Sequence, residues 1–374
     1  MANGKLFLGA CFDPSCMWID VCAARAAGRG QRLKLTQAQH VRLGLDDELK
    51  ELLHNAAQTP RHVAGSLARL DIECGRALGS ALLGLAKDEP IAAAGITGAI
   101  VGDGGEPLEL GSPASASALS GVRVAGRFVE ADLAAGGIGG PVRAWPNWLM
   151  LRDRRLSRVG IDIGAITELT FVPSAALPVD VVAMHTGPGL GVLDGLARRL
   201  HNVPSDADGR LAARGAICQP LLNELLANPY FLKTGPKLTT AAYWGDTYVE
   251  RVLLIGNRHG CDRGDIMATA GELVARTIAN AVGRLTERPH QVVLWGEGAM
   301  NIHLASRIRA LLSPSSTITS EKFGVGMLAC RAYALCALAA ARIQLVPIYC
   351  PHATGAASPI ILGDLCEPLP HDDK

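Results

Sequence analysis

Short apolar runs alternate along this chain with longer stretches whose apolar positions recur at helical spacing. The short runs, bounded by turn residues, predict strands at 5–10, 18–24, 92–97, 122–128, 158–163, 169–171, 179–184 and 292–295. The longer stretches predict helices at 46–55, 60–86, 190–200, 219–226, 268–285, 301–312 and 326–343. In the longest of these, Val63, Leu67, Leu70, Cys74 and Leu78 fall on one stripe, which must face a core. Strands and helices in alternation make an α/β chain. Segment 98–120 is rich in Gly, Pro, Ala and Ser and reads as loop, with a short strand at 108–110.

The pattern occurs twice. LFLGACFD followed by WIDVCAARA opens the chain, and RVGIDIGAITE followed by LTFVP opens its second half. Each is strand, turn, strand, and predicts a β-hairpin at the head of each of two similar domains. The polar run LRDRRLS at 151–157 lies between them, so the expected domains are 1–155 and 156–374. A length of 374 residues suits two domains with sizeable cores.

Charge and composition narrow the function classes. A net charge of +1 argues against a nucleic acid or a charged membrane surface as partner. No uninterrupted run of about twenty apolar residues appears, so no membrane span is expected. The N-terminal stretch lacks the apolar core of a signal peptide. A soluble, cytoplasmic protein is the expectation. The ten cysteines are scattered, many in apolar runs, with no CxxC pair. They predict reduced, buried thiols rather than a metal site or disulfides.

Chemistry then has to come from the turns. There is no GxxxxGK[ST], no GxSxG and no HExxH. Instead, glycines follow strands at Gly164 in DIGA, Gly187 and Gly189 in HTGPG, and Gly296 and Gly298 in WGEGAMN. Glycine lets a phosphate approach backbone N–H donors closely, so three such turns suggest a nucleotide in an interdomain cleft. His185 stands at the mouth of the second turn, either as a base or as a hydrogen-bonding group at a strand end. In FVEADLAAGGIGGP, Asp132 precedes a glycine-rich loop. Its carboxylate could accept from two sugar hydroxyls, or it could cap the loop.

Five stretches together resemble one family. FVEADLAAGGIGGP is similar to FRxxDxAxGGxGAP, HTGPGLGVLDG to DTGPGNxLxD, and NPYFLKTGPKLTT to DPYFxxxxPKSTG. DIMATAGELVARTIA is similar to DxxATLxExTAxTI, and TGAASPIILG to TGAxxxxxLG. These are motifs of the anhydro-N-acetylmuramic acid kinases, in the actin, Hsp70 and sugar-kinase superfamily, and the resemblance runs nearly end to end. It implies two RNase H-like, actin-like ATPase domains around a cleft that holds ATP and Mg2+. It implies a small amino-sugar substrate, whose 1,6-anhydro ring is opened by water and whose 6-oxygen is phosphorylated, in peptidoglycan recycling. It also implies a homodimer. Carried onto this chain, it puts nucleotide contacts at Gly9, Ser15, Gly164, Gly187, Gly189, Gly296, Gly298 and Asn301. Sugar contacts fall at Asp132, Gly136 and Gly137, and the base position falls at His185.

The departures from the family lie at the chemistry. The base aspartate is His185 and the asparagine closing its motif is Leu190. In the first phosphate loop, MSGTSxDGxD, Ser15 and Asp20 are kept. Its glycines are Asp13 and Trp18, its inner aspartate is Met17, and Pro14 removes a backbone donor. An added carboxylate there would repel phosphate. The sugar-side CHGQT reads Ile96-Thr97-Gly98-Ala99-Ile100, and the GDF aspartate is Arg127. IGGIAN ends in Glu168, GRE reads Thr240-Ala241-Ala242, and the acidic positions before the last long helix are Gly326, Met327 and Ala329. Scaffold positions are kept while groups that would touch water, metal, phosphate or sugar are replaced. The favoured reading is a kinase-like fold retained as a binding module after loss of catalysis. The alternative is an active ATP-dependent sugar kinase with His185 as its base.

Overall fold

The computed structural model of the chain describes residues 4–58, 64–85, 89–102 and 107–369. Its strands in chain order are β1 (Lys5–Phe12), β2 (Trp18–Ala27), β3 (Lys34–Gly44), β4 (Ile91–Thr97), β5 (Ala99–Val101), β6 (Leu108–Leu110), β7 (Val124–Gly126), β8 (Arg158–Ile163), β9 (Ile166–Val172), β10 (Val182–Pro188), β11 (Gln291–Trp295), β12 (Ser316–Thr319) and β13 (Asp364–Cys366). One sheet has the order β13-β7-β4-β1-β2-β3 and the other the order β10-β9-β8-β11-β12. Strands β5 and β6 form a small ladder of their own.

The two sheets repeat one plan. An antiparallel meander comes first, β1-β2-β3 and again β8-β9-β10. The next strand, β4 or β11, lies parallel to the first strand of its meander. A further parallel strand, β7 or β12, follows beside it. This is the RNase H-like plan twice over, so the fold is α/β with two actin-like domains. The hairpins expected at 5–24 and 158–171 are the heads of the two sheets.

Helices cover the sheets as the apolar stripes require. In helix Ala64–Leu83, Leu70, Cys74 and Leu78 are buried against the first sheet; Val63 lies outside the described residues. Helices Arg263–Val282 and Ile302–Leu311 bury the second sheet. The other face of the first sheet is covered by helix Cys330–Ile343, whose inner face is mostly alanine. A Cβ on Gly9 would stand 1.9 Å from the Ala332 carbonyl oxygen, and one on Gly95 would stand 2.3 Å from that of Leu335. Small residues on both partners let helix and sheet approach this closely. Gly9 is therefore not a nucleotide contact: it lies mid-strand beneath this helix.

Several expectations change. The division at 155/156 would assign Cys330–Ile343 and β13 to the second domain, but both join the first sheet, because the chain crosses back to cover it. Segment 98–120 is not mainly loop. It holds β5, β6 and helix Pro113–Ser120, capped by the Ser112 hydroxyl. The last long helix starts at Cys330, not 326. Strands β3 and β12 and helices Ala144–Leu151 and Asp246–Arg258 carry no signal strong enough to be predicted. Among the described residues, no helix is long and apolar enough to cross a membrane.

Candidate functional site between the two sheets

The loop joining β1 to β2 is where the resemblance puts the first phosphate contact, and Asp13 fills it. Its carboxylate accepts from Ser15 N–H at 3.0 Å, Met17 N–H at 2.8 Å and Trp18 N–H at 2.6 Å. The Ser15 hydroxyl donates to it as well. Cys16 N–H goes to the Asp13 carbonyl at 2.8 Å, and Pro14 has no N–H to offer. Every backbone donor from 15 to 18 is thus taken by one residue. The loop is a small anion nest, closed on its own carboxylate by Cys16 in the left-handed region at φ 55°. Burial raises the pKa of Asp13, against the lowering effect of the Ser15 bond. Met17 and Trp18 turn outward, 46% and 44% exposed.

From this loop a chain of ion pairs runs through the junction. Asp20 on β2 is fully buried and is the direct cross-strand partner of Arg42 on β3. Arg42 grips it with bonds of 2.8 and 2.5 Å, and His40 Nε2 lies 2.9 Å from it. Burial alone would raise Asp20; the bonds from Arg42 and His40 outweigh it and hold the carboxyl below its usual range. Arg42 also reaches Glu297, on the turn after β11, at 2.5 Å. Glu297 in turn meets Arg331 at 3.1 Å, and Arg331 forks onto Asp162 of β8 at 2.9 and 2.6 Å. Arg143 lies 3.6 Å from Asp162 and 2.6 Å from Glu168 of β9. Arg42 belongs to the first sheet and Glu297 and Asp162 to the second, while Arg331 rides on the helix covering the first. The chain therefore fastens the two domains together.

His185 lies just beyond the Glu168 end of this chain. It is paired in register with Glu168, but its Nε2 is 3.9 Å from Glu168 Oε2, too far for a hydrogen bond. Its Nδ1 lies 2.9 Å from the Thr239 carbonyl oxygen and 3.1 Å from the Thr239 nitrogen. Burial lowers its pKa to about 4, so the ring is neutral near pH 7 and a weak base.

The glycine turns do converge. Gly189 N–H donates to the Ala165 carbonyl at 3.0 Å and Leu190 N–H to that of Gly164 at 2.7 Å. Gly296 and Gly298 abut Ile163 at the end of β8, and Gly187 abuts Phe231. A Cβ at Gly296 would lie 2.6 Å from Asp162 Oδ1, inside the ion-pair chain. Asn301 is elsewhere engaged: its Oδ1 caps helix Ile302–Leu311 through Leu304 N–H at 3.0 Å, and its amide donates to the Asp206 carbonyl. It is a helix cap.

On the sugar side, Asp132 is 3% exposed and takes Gly139 N–H at 2.9 Å. Gly136 and Gly137 N–H groups go to the Leu133 and Asp132 carbonyls. The carboxylate caps its own loop. Arg127, in place of the family aspartate, pairs with Asp71 at 2.6 Å and donates to the Glu109 carbonyl at 2.5 Å. Glu109 itself is 1% exposed; Oε1 accepts from Gly98 N–H at 3.3 Å, and Oε2 has no partner among the described residues. Burial, aided by Glu130, pushes its pKa up to about 8.

That shift makes a pH prediction. Between the unfolded pKa near 4.5 and the folded value of about 8, the folded chain holds a proton that the unfolded chain releases. Stability should therefore fall as pH rises through this window, by up to about 5 kcal/mol. Glu109→Gln should flatten the slope. Thermal melts of both proteins from pH 5 to 9 test it, and parallel curves would refute it.

Comparison with known proteins shows the family. The sequence model described as anhydro-N-acetylmuramic acid kinase matches residues 7–368. The chain belongs to the anhydro-N-acetylmuramic acid kinase family. The Coxiella burnetii enzyme of that name is 31% identical over 326 residues, covering 84% of this chain and 87% of that one. The Gloeobacter violaceus enzyme is 33% identical over 262 residues, covering 70% and 69%. Among solved structures, component A of the Acidaminococcus fermentans (R)-2-hydroxyglutaryl-CoA dehydratase is similar at TM-score 0.45 and 15% identity, covering 90% of this chain and 98% of that one.

The first phosphate loop of this family member presents no free backbone donor from 15 to 18 to a nucleotide phosphate. The first-loop amides are already bonded, so a phosphate has no donor there. The carboxylates of Asp20, Asp162, Glu168 and Glu297 are each held by an arginine. Among the described residues, no group of three or more His, Cys, Asp or Glu could hold a metal ion. Sequence reading missed Arg42, His40, Arg331, Asp162 and Arg143. The available signal was HxR at 40–42, two nitrogen-bearing side chains on one face of a strand. All ten cysteines are free, and burial pushes the Cys11 and Cys16 thiols upward, away from thiolate chemistry.

Proposed function

We propose that this member of the anhydro-N-acetylmuramic acid kinase family no longer transfers phosphate and serves as a binding module with its cleft held closed by ion pairs. The observation that carries the reading is Asp13, whose carboxylate takes the N–H groups of Ser15, Met17 and Trp18 and whose carbonyl takes that of Cys16. Phosphoryl transfer needs those donors to neutralise charge on the moving phosphoryl group. Here they already face an anion of the protein. The ion-pair chain supports the same reading, because its guanidiniums are bound to carboxylates and offer no free charge to a triphosphate. The reading takes the protein as a cytoplasmic homodimer, as the family resemblance implies.

The alternative, a kinase with His185 as base, requires an imidazole that accepts a proton at neutral pH. A pKa of about 4 and an Nδ1 committed to Thr239 count against it.

Thermal melts with millimolar ATP and Mg2+ decide between the two. Any ligand of the native state raises the melting temperature, and no rise is expected here. ADP release on adding 1,6-anhydro-N-acetylmuramic acid should stay at background. A clear rise together with sugar-dependent ADP release would restore the kinase.

A further inference from the structure

A second cavity lies on the far side of β10 from His185. Alternation along the strand sends Val182, Met184 and Thr186 to this side and His185 toward Glu168. The cavity measures about 280 Å3 and is bounded across from the strand by segment 231–237 and by residues 277–286. Its floor is apolar, with Val182, Met184 and Phe231. Its charge is all of one sign: Lys233, Lys237 and Arg284 line it beside His352, and no carboxylate does.

Two polar side chains there are short of partners. Lys237 is only 7% exposed, yet among the described residues its ammonium makes no ion pair and lies 4.8 Å from the centre of the Tyr230 ring. Lys233 approaches the same ring at 5.7 Å. Cation–π contact offsets part of the cost of burying the charge, but not what a counter-ion would. Burial, with Arg284 and Lys233 nearby, depresses Lys237 to about 8. Thr186 is 1% exposed, and its hydroxyl has no hydrogen-bond partner. It sits at the β-bulge between His185 and Gly187, where the pairing with β9 shifts register.

We propose that this cavity binds a small organic anion, a carboxylate or phosphate monoester with an apolar body. The anionic group meets Lys237, Arg284 and the Thr186 hydroxyl, and the body lies on Val182, Met184 and Phe231. Such an anion satisfies at once the unpaired ammonium and the unpaired hydroxyl. Pocket and cleft share β10 and the Phe231 ring, but none of the cleft's charged groups lines the pocket, so this site stands whether or not the cleft turns over ATP.

Calorimetric titration of the full chain at low salt with benzoate, phenyl phosphate and inorganic phosphate tests the proposal. Saturable binding of benzoate or phenyl phosphate is expected, at least tenfold tighter than that of inorganic phosphate, and the tighter of the two names the head group. Lys237→Met should weaken it at least tenfold while raising the melting temperature of the ligand-free protein, since it removes a buried charge without a partner. Arg284→Gln, an exposed position, gives the same loss of affinity should Lys237→Met fail to fold. No saturable binding of any probe, or affinity unchanged in a folded variant, overturns the site.

Discussion

Arg331→Met is expected to destabilise the protein by about 3–5 kcal/mol, the cost of breaking a buried ion pair by removing one partner. Arg331 is 4% exposed and bridges Asp162, itself 3% exposed, to Glu297. Without the guanidinium both carboxylates keep their desolvation cost and lose their main counter-charge. Arg42 still reaches Glu297, so the loss should centre on Asp162. Urea denaturation measures it as a lower midpoint. The triple variant Arg331→Met, Asp162→Asn, Glu297→Gln separates charge from packing. It should recover much of the loss, because neutral groups are cheaper to bury. If the triple variant is as unstable as the single one, the guanidinium acts through packing and the ion-pair account fails.

Gly9→Ala should cost about as much, although it adds a single methyl group. Overpacking typically costs about 1–3 kcal/mol. Here the clash is with backbone, at 1.9 Å from the Ala332 carbonyl oxygen, so a side-chain rotation cannot relieve it. The helix must retreat, and Ala332 is the neighbour of Arg331. Retreat therefore also loosens the grip on Asp162 and Glu297. The two substitutions should be coupled: in a double-mutant cycle, Gly9→Ala should cost less when Arg331 is already methionine. Additive losses in urea would show that helix seating and ion pairing are independent.

Much of the fold was legible because its signals are local. The strand–turn–strand pairs at β1-β2 and β8-β9 show in a short apolar window, and the Leu70, Cys74, Leu78 stripe shows in helical spacing. Strand β3 was not, because it is an edge strand with polar residues on both faces and no buried side alternating with an exposed one. That omission mattered, since β3 carries Arg42, which neutralises Asp20, and His40, which lies within hydrogen-bond distance of it. Helix Cys330–Ile343 was legible as a helix but not as a cover for the first sheet; its destination depends on Gly9 and Gly95, more than two hundred residues earlier in the chain.

The sequence by itself determined the α/β class, the doubled plan, the family, and the list of exchanged positions, Asp13, His185 and Glu168 among them. Each is a matter of residue identity or short-range periodicity. Only the tertiary structure decided what those exchanges do. Asp13 read as a charge that would repel phosphate; folded, it bonds its own loop's donors and leaves none for a ligand. Glu168 read as a lost amide; folded, it is one end of an arginine-bridged chain running to Asp20. The reason is physical: whether a buried charge repels or stabilises depends on its partners within a few ångströms, and here they come from opposite ends of the chain.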